Sequence, residues 1–159
     1  TAGAYPGIEG EERCQSEAIA RNLAVMSSLK TKILVVVSGE GGSGGALALG
    51  VGDHIAILEY GTYSVASPEA CASIVWRESD KAPQAAEAMK VGANDLKKIG
   101  IVDEIISEPI GGAHQDYDTI SASIKLSLLT NIAELSKFSQ EELLQRRYLK
   151  TLDMEWVAW

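Results

Sequence analysis

Residues 33–52, ILVVVSGEGGSGGALALGVG, decide how the rest of the chain is read. Ile33, Leu34, Val35, Val36 and Val37 form an apolar, β-branched run of the kind that makes a strand buried on both faces. Five glycines follow within seven residues, Gly39-Glu40-Gly41-Gly42-Ser43-Gly44-Gly45. Ala46, Leu47, Ala48 and Leu49 come next, a segment of high helix propensity. Strand, glycine turn and helix together point unpaired backbone N–H groups at whatever sits above the helix N-terminus. Glycine lacks a Cβ, so a substrate can approach those amides closely. The stretch reads as an anion or oxyanion site built from backbone.

Composition narrows the possibilities. The chain has 159 residues, 46% hydrophobic and 23% charged, which describes one globular domain with a real core. Its net charge is −8 and its Lys and Arg do not cluster, which argues against nucleic acid and anionic membranes as partners. Cys14 and Cys71 fit no metal spacing and read as reduced thiols of a cytosol-like compartment. No run reaches the ~18 apolar residues of a membrane span, and no signal peptide is visible. The opening Thr1-Ala2-Gly3-Ala4 has no initiator Met, so the expectation is a piece of a longer protein.

Outward from the opening stretch, strands alternate with helices. Upstream, residues 1–10 form a Gly/Pro turn, and a helix is predicted from Glu11, with Ile19, Leu23, Met26 and Leu29 on one face. Downstream, His54–Tyr60 and Tyr63–Ala66 read as strands. Ser67 caps a helix with Pro68 at its first position, continuing to Trp76. Helices are predicted from Lys81 to Met89 and from Ala93 to Ile99, then a strand over Ile101–Ile106 and a loop over Glu108–His114. The helical end begins at about Tyr117, with one helix to Lys137 and another opened by the capping box Ser139-Gln140-Glu141-Glu142. The tail MEWVAW carries two tryptophans that need a surface to pack on. No internal repeat is visible. The alternation predicts an α/β layered fold with a parallel sheet.

The glycine stretch admits three mechanisms. A phosphate-binding P-loop needs Lys after its last glycine, and Ala46 stands there. A nucleophile elbow fits better, since Gly41-Gly42-Ser43-Gly44-Gly45 matches G-x-S-x-G, and Asp103 and His114 follow in the order of a hydrolase triad. Against it, the apolar strand ends near Val37, several residues before Ser43, and glycine-rich sequence matches that pattern easily. The third reading is an oxyanion hole with the amides of Gly44 and Gly45 as donors. The opening turn, Gly3-Ala4-Tyr5-Pro6-Gly7, can supply a second set. His54 and His114 read as a structural and a loop histidine, and Arg77 and Lys81 as solvated surface.

Several longer motifs appear in order: GAYPGIEGEERCQSEAIARNL, GEGGSGGALALGVGD, YSVASPEACASIVW, DKAPQAAEAMK and EPIGGAH. Together, from Thr1 to about Tyr148, they resemble the alpha subunits of acetyl-CoA carboxylase carboxyltransferase, bacterial or plastid. The resemblance implies a crotonase-like (ClpP/crotonase) β-β-α spiral, truncated at its N-terminus, with residues 1–159 as the C-terminal part of one carboxyltransferase domain. It implies transfer of a carboxyl group from carboxybiotin, on a carrier protein, to acetyl-CoA, giving malonyl-CoA for fatty acid synthesis. It further implies a beta subunit that holds most of the acetyl-CoA site and a zinc ribbon, with no metal in this chain. Biotin carboxylase and the biotin carboxyl carrier protein are implied as further partners, in an α2β2 carboxyltransferase of the bacterial cytoplasm or plastid stroma.

The implied chemistry needs two oxyanions stabilised, the biotin ureido oxygen and the thioester enolate, and no side-chain catalyst. Gly44 and Gly45 are carried over as the catalytic amides on the biotin side. Gly3, Ala4, Tyr5, Gly41, Gly42 and Ser43 are carried over as substrate-binding. The turn departs from the family at Ala2, where Pro is usual, and Cys14 and EWVAW are also unusual. Three rivals stand beside the transferase: a serine hydrolase using Ser43, a non-catalytic assembly subunit, and a crotonase-fold hydratase or isomerase, for which no carboxylate pair stands out.

Overall fold

The computed structural model describes residues 3–5 and 7–153. Thr1, Ala2, Pro6 and the MEWVAW tail lie outside the described residues. In chain order the elements are α1 (Ile8–Glu12), α2 (Gln15–Ser28), β1 (Leu34–Val37), β2 (Glu40–Gly42) and α3 (Ser43–Leu47). They continue with β3 (His54–Leu58), β4 (Thr62–Ser64), α4 (Pro68–Trp76), α5 (Ala82–Met89) and α6 (Ala93–Lys98). The last are β5 (Glu104–Ile106), α7 (Tyr117–Leu135) and α8 (Gln140–Leu152).

All strand pairs within the two sheets are parallel. The larger sheet has the order β1-β3-β5, with Val36 beside Ala56 and Ile57 beside Ile105. The smaller pairs β2 with β4, Gly41 beside Tyr63 and Gly42 beside Ser64. The path is therefore repetitive: one strand in the larger sheet, one in the smaller, a helical passage, and back to the larger sheet one strand over. This is a β-β-α spiral.

The apolar run of β3 is buried along nearly its whole length, as a central parallel strand requires. Alternation divides its side chains. Ile55 and Ile57 pack with Ala93 and Leu96 of α6 and with Val102, while Ala56 and Leu58 pack with Ile106 and Ile120 of α7. The larger sheet is thus covered by α6 on one face and α7 on the other.

An aspartate marks each return to that sheet. Asp53 Oδ2 accepts the Ile33 amide at 2.8 Å, and Asp103 Oδ2 accepts the Ile55 amide at 2.7 Å. Helix α8 docks on both carboxylates. Arg147, 4% exposed, forks onto Asp53 through Nε and Nη2, both at 2.9 Å. Its remaining donors reach the carbonyls of Met26, Leu29 and Thr31 at 2.8–2.9 Å. Lys150 pairs with Asp103.

The structure corrects the sequence reading at several places. The turn predicted over residues 1–10 gives way to a short helix already at Ile8. The helix predicted from Glu11 is broken at Cys14, whose φ of +57° is left-handed, so that α2 begins at Gln15. The glycine turn contains a strand, β2, because Glu40–Gly42 finds a ladder partner in Thr62–Ser64. The strand predicted over residues 101–106 begins only at Glu104, because the amides of Ile101 and Val102 both turn back to the Leu96 carbonyl. The capped helix starts match their prediction: Ser67 Oγ accepts the Ala70 amide at 3.2 Å, and Ser139 and Glu142 form the capping box.

Candidate active site

Helix α3 begins at Ser43, directly after β2, with no side-chain cap at Gly42. Ser43, Gly44 and Gly45 are its first three residues, and a helix start leaves such amides without an intrahelical acceptor. Ser43 carries a φ of +55°, a left-handed conformation that costs a non-glycine residue about 1–2 kcal/mol. A Cβ at Gly44 would make only ordinary contact with α2, 3.5 Å from Ile19 Cδ1.

The opening turn comes to the same place. Gly3, at a φ of +121°, lies so close that a Cβ would be 3.4 Å from Ser43 Cβ and 3.5 Å from the Gly42 carbonyl oxygen. The Tyr5 carbonyl is held by the Gly7 amide at 3.1 Å and by Gln15 Nε2 at 2.9 Å, which leaves the Tyr5 ring exposed. Ala4 between them is half-buried. Of the residues carried over from the sequence, the structure therefore joins Gly3 to Ser43 and to the Gly42 carbonyl. Gly41 and Gly42 are buried strand residues in register with β4.

Beside Ser43 and Gly44 opens an apolar cavity of about 330 Å³, reaching Leu47, Ile55, Tyr63 and Leu96. Among the described residues, its lining contains no charged side chain. Val65, at its rim, is 81% exposed. Burial pushes the Tyr63 phenol above its ordinary pKa. Ile55, Tyr63 and Leu96 do not stand out in the sequence, because they come from β3, β4 and α6, where each reads as ordinary core. Such a cavity suits an uncharged ring or chain whose one polar atom meets the amides, and does not suit a phosphate or free carboxylate.

Two further observations bear on Ser43. The strand before it ends at Gly42, so the objection that the strand stops near Val37 falls, and strand, strained serine and helix are contiguous as in a nucleophile elbow. The triad, however, does not assemble. Asp103 precedes β5 and gives its carboxylate to the Ile55 amide and Lys150. His114 follows β5 and pairs with Gln115 Nε2 at 2.9 Å, in a groove with Ser38, Tyr60, Glu108 and Tyr117. They stand beyond opposite ends of one strand. His54 is structural, as read, and pairs with Glu104 at 2.9 Å.

Residues 1–155 match the family described as acetyl co-enzyme A carboxylase carboxyltransferase-like. The chain belongs to this family. The acetyl-coenzyme A carboxylase carboxyl transferase subunit alpha of Photobacterium profundum is 59% identical over 152 residues, 96% of this chain and 48% of that protein. The protein of the same name from Vibrio cholerae is 58% identical over 153 residues, again 96% and 48%. The chain spans about half the length of the curated relatives it matches.

Solved structures of low identity share the fold. Transcarboxylase 12S, solved with methylmalonyl-coenzyme A and methylmalonic acid bound, superposes with a TM-score of 0.57 at 19% identity, over 77% of this chain and 25% of that one. An enoyl-CoA hydratase/isomerase from Marinobacter aquaeolei gives 0.55 at 12% identity, over 91% and 53%. The spiral is that of the crotonase class.

Proposed function

We propose that this carboxyltransferase-family chain works as part of an alpha subunit that moves a carboxyl group from carboxybiotin on a carrier protein to acetyl-CoA, giving malonyl-CoA. The family is biotin-dependent, and an alpha subunit belongs to a multisubunit complex. In this reading its partners are a beta subunit that brings most of the acetyl-CoA site, the biotin carboxyl carrier protein and biotin carboxylase.

One observation carries the reading: Ser43 and Gly44, at the helix start, line an apolar cavity with no charged side chain among the described residues, and the Gly3 turn lies against Ser43. Carboxybiotin, when bound, supplies the carboxyl group and leaves an oxygen that gains negative charge. In this reading the Gly44 and Gly45 amides hold that oxygen, with Ser43 beside them and the turn from Gly3 to Tyr5 as the second contributor. The apolar wall excludes water from an intermediate that water would otherwise quench. Preorganised donors of this kind act with no reorganisation at the moment of reaction.

The test is transfer of carboxyl from malonyl-CoA to biocytin by the full-length protein, with and without the beta subunit. Transfer that requires both chains is the expected result. The second reading, a serine hydrolase, is favoured by the left-handed Ser43 directly after β2. Hydrolysis of a simple ester, lost on Ser43→Gly, together with no carboxyl transfer in any combination, would overturn the transferase.

A further inference from the structure

The geometry points to Tyr63 as a positioning residue for the Ser43–Gly45 amides, an inference that rests on the oxyanion reading above. Tyr63 stands in β4 opposite Gly41 of β2. Its ring crosses that glycine so closely that a Cβ there would lie 2.8 Å from Tyr63 Cδ2 and 3.5 Å from Ala46 Cβ. At its far end the hydroxyl reaches the Ala46 carbonyl of α3 at 3.5 Å and fills the space where a Cβ on Gly50 would fall. The ring's base is fixed too, since the Tyr63 amide donates to the Val91 carbonyl at 3.0 Å.

Helix α3 has five residues and no side-chain cap, so its own hydrogen bonds do little to hold it in place. The ring beneath it does. Tyr63 and Gly50 line both the 330 Å³ cavity and a second concavity of about 270 Å³ that runs along Val35–Gly41, so the ring, with Gly50 beside it, stands between them. At 3.5 Å the hydroxyl acts more by its volume than as a hydrogen bond. Gly41 and Gly50 leave the room that lets the ring pass under the helix, and the ring in turn sets the height of the amides over the cavity.

Gly50 and Tyr63 are then a coupled pair. Gly50 is outside the left-handed region, so Gly50→Ala is allowed by the backbone and meets chiefly the Tyr63 hydroxyl. In the full-length complex with the beta subunit, Gly50→Ala is expected to lower kcat for malonyl-CoA to biocytin transfer by about 10- to 100-fold, the scale of a small misplacement of reacting groups. KM for malonyl-CoA should stay unchanged. Tyr63→Phe keeps the ring and removes only the hydroxyl, so alone it should lower kcat less than Gly50→Ala does, and added to Gly50→Ala it should recover most of the lost kcat.

Hydrogen exchange of the 40–50 segment gives a readout apart from activity, faster in Gly50→Ala and restored in the double variant. Wild-type kcat in Gly50→Ala, or a loss that Tyr63→Phe does not reverse, overturns the inference while leaving the transferase standing. A wild-type complex that transfers no carboxyl overturns the function itself, and the role of Tyr63 with it.

Discussion

One oxygen of Glu104 collects three donors: Ser127 Oγ at 2.7 Å, and His54 Nε2 and Asn131 Nδ2 at 2.9 Å. Burial alone raises this carboxyl, but the bonds from Ser127, His54 and Asn131, with the charge of His54, outweigh it and hold the group below its usual range. A lowered native pKa means that the unfolded chain takes up the proton first as pH falls. The stabilisation is therefore complete above the unfolded carboxylate value, about 4.3, and is lost as pH drops through the lower folded value. Glu104→Gln should be less stable than wild type at pH 7, with the gap closing below about pH 4. Melting temperatures from neutral pH down into the acid range check this, and a gap constant with pH would contradict it. None of these partners was legible in the sequence, because His54, Glu104 and Ser127 meet only through the parallel register and the docking of α7. The caps at Ser67 and Ser139 were legible because each closes on an amide three residues away.

At the scale of elements, α8 is secured by a side chain that composition does not distinguish. All five Arg147 donors are spent, on both Asp53 oxygens and three carbonyls, and its partner Asp53 has a side chain only 2% exposed. Arg147→Ala leaves that carboxylate buried and unpaired, which costs roughly 3–5 kcal/mol. Arg147→Lys offers an ammonium in place of a planar fork and should recover only part of this. Denaturant unfolding of the full chain measures both, and a lysine variant within about 0.5 kcal/mol of wild type, the range of an ordinary surface change, would contradict the clamp. Strand β2 escaped the sequence for a related reason. Two of its three residues are glycine, which argues against a strand, and only the distant Thr62–Ser64 gives it a ladder. The break at Cys14 had no glycine or proline to announce it.

The whole molecule repeats a backbone path, and that path left little trace in the side chains. No internal repeat is visible in the sequence, yet β1-β2-α3 and β3-β4-α4 run the same course, each return to the larger sheet marked by an aspartate that accepts an amide from the preceding turn. The half of the site made of consecutive glycines was legible for this reason, since it lies within one turn of the spiral. The cavity was not, because Ile55, Tyr63 and Leu96 reach it from the next turn. The proposed function stands or falls on whether backbone donors, and not the Ser43 hydroxyl, serve this cavity. The decisive comparison is kcat for carboxyl transfer from malonyl-CoA to biocytin in the complete complex, among Gly44→Pro, Gly44→Ala and Ser43→Gly. Proline in the first helical turn removes the amide without breaking an intrahelical bond, whereas the alanine Cβ makes only ordinary contact with Ile19. A backbone oxyanion site requires a loss of about a hundredfold for Gly44→Pro in a complex that still folds and assembles. It also requires near-normal rates for Gly44→Ala and for Ser43→Gly, which relieves the left-handed strain. Full activity in Gly44→Pro, or collapse in Ser43→Gly, would contradict it.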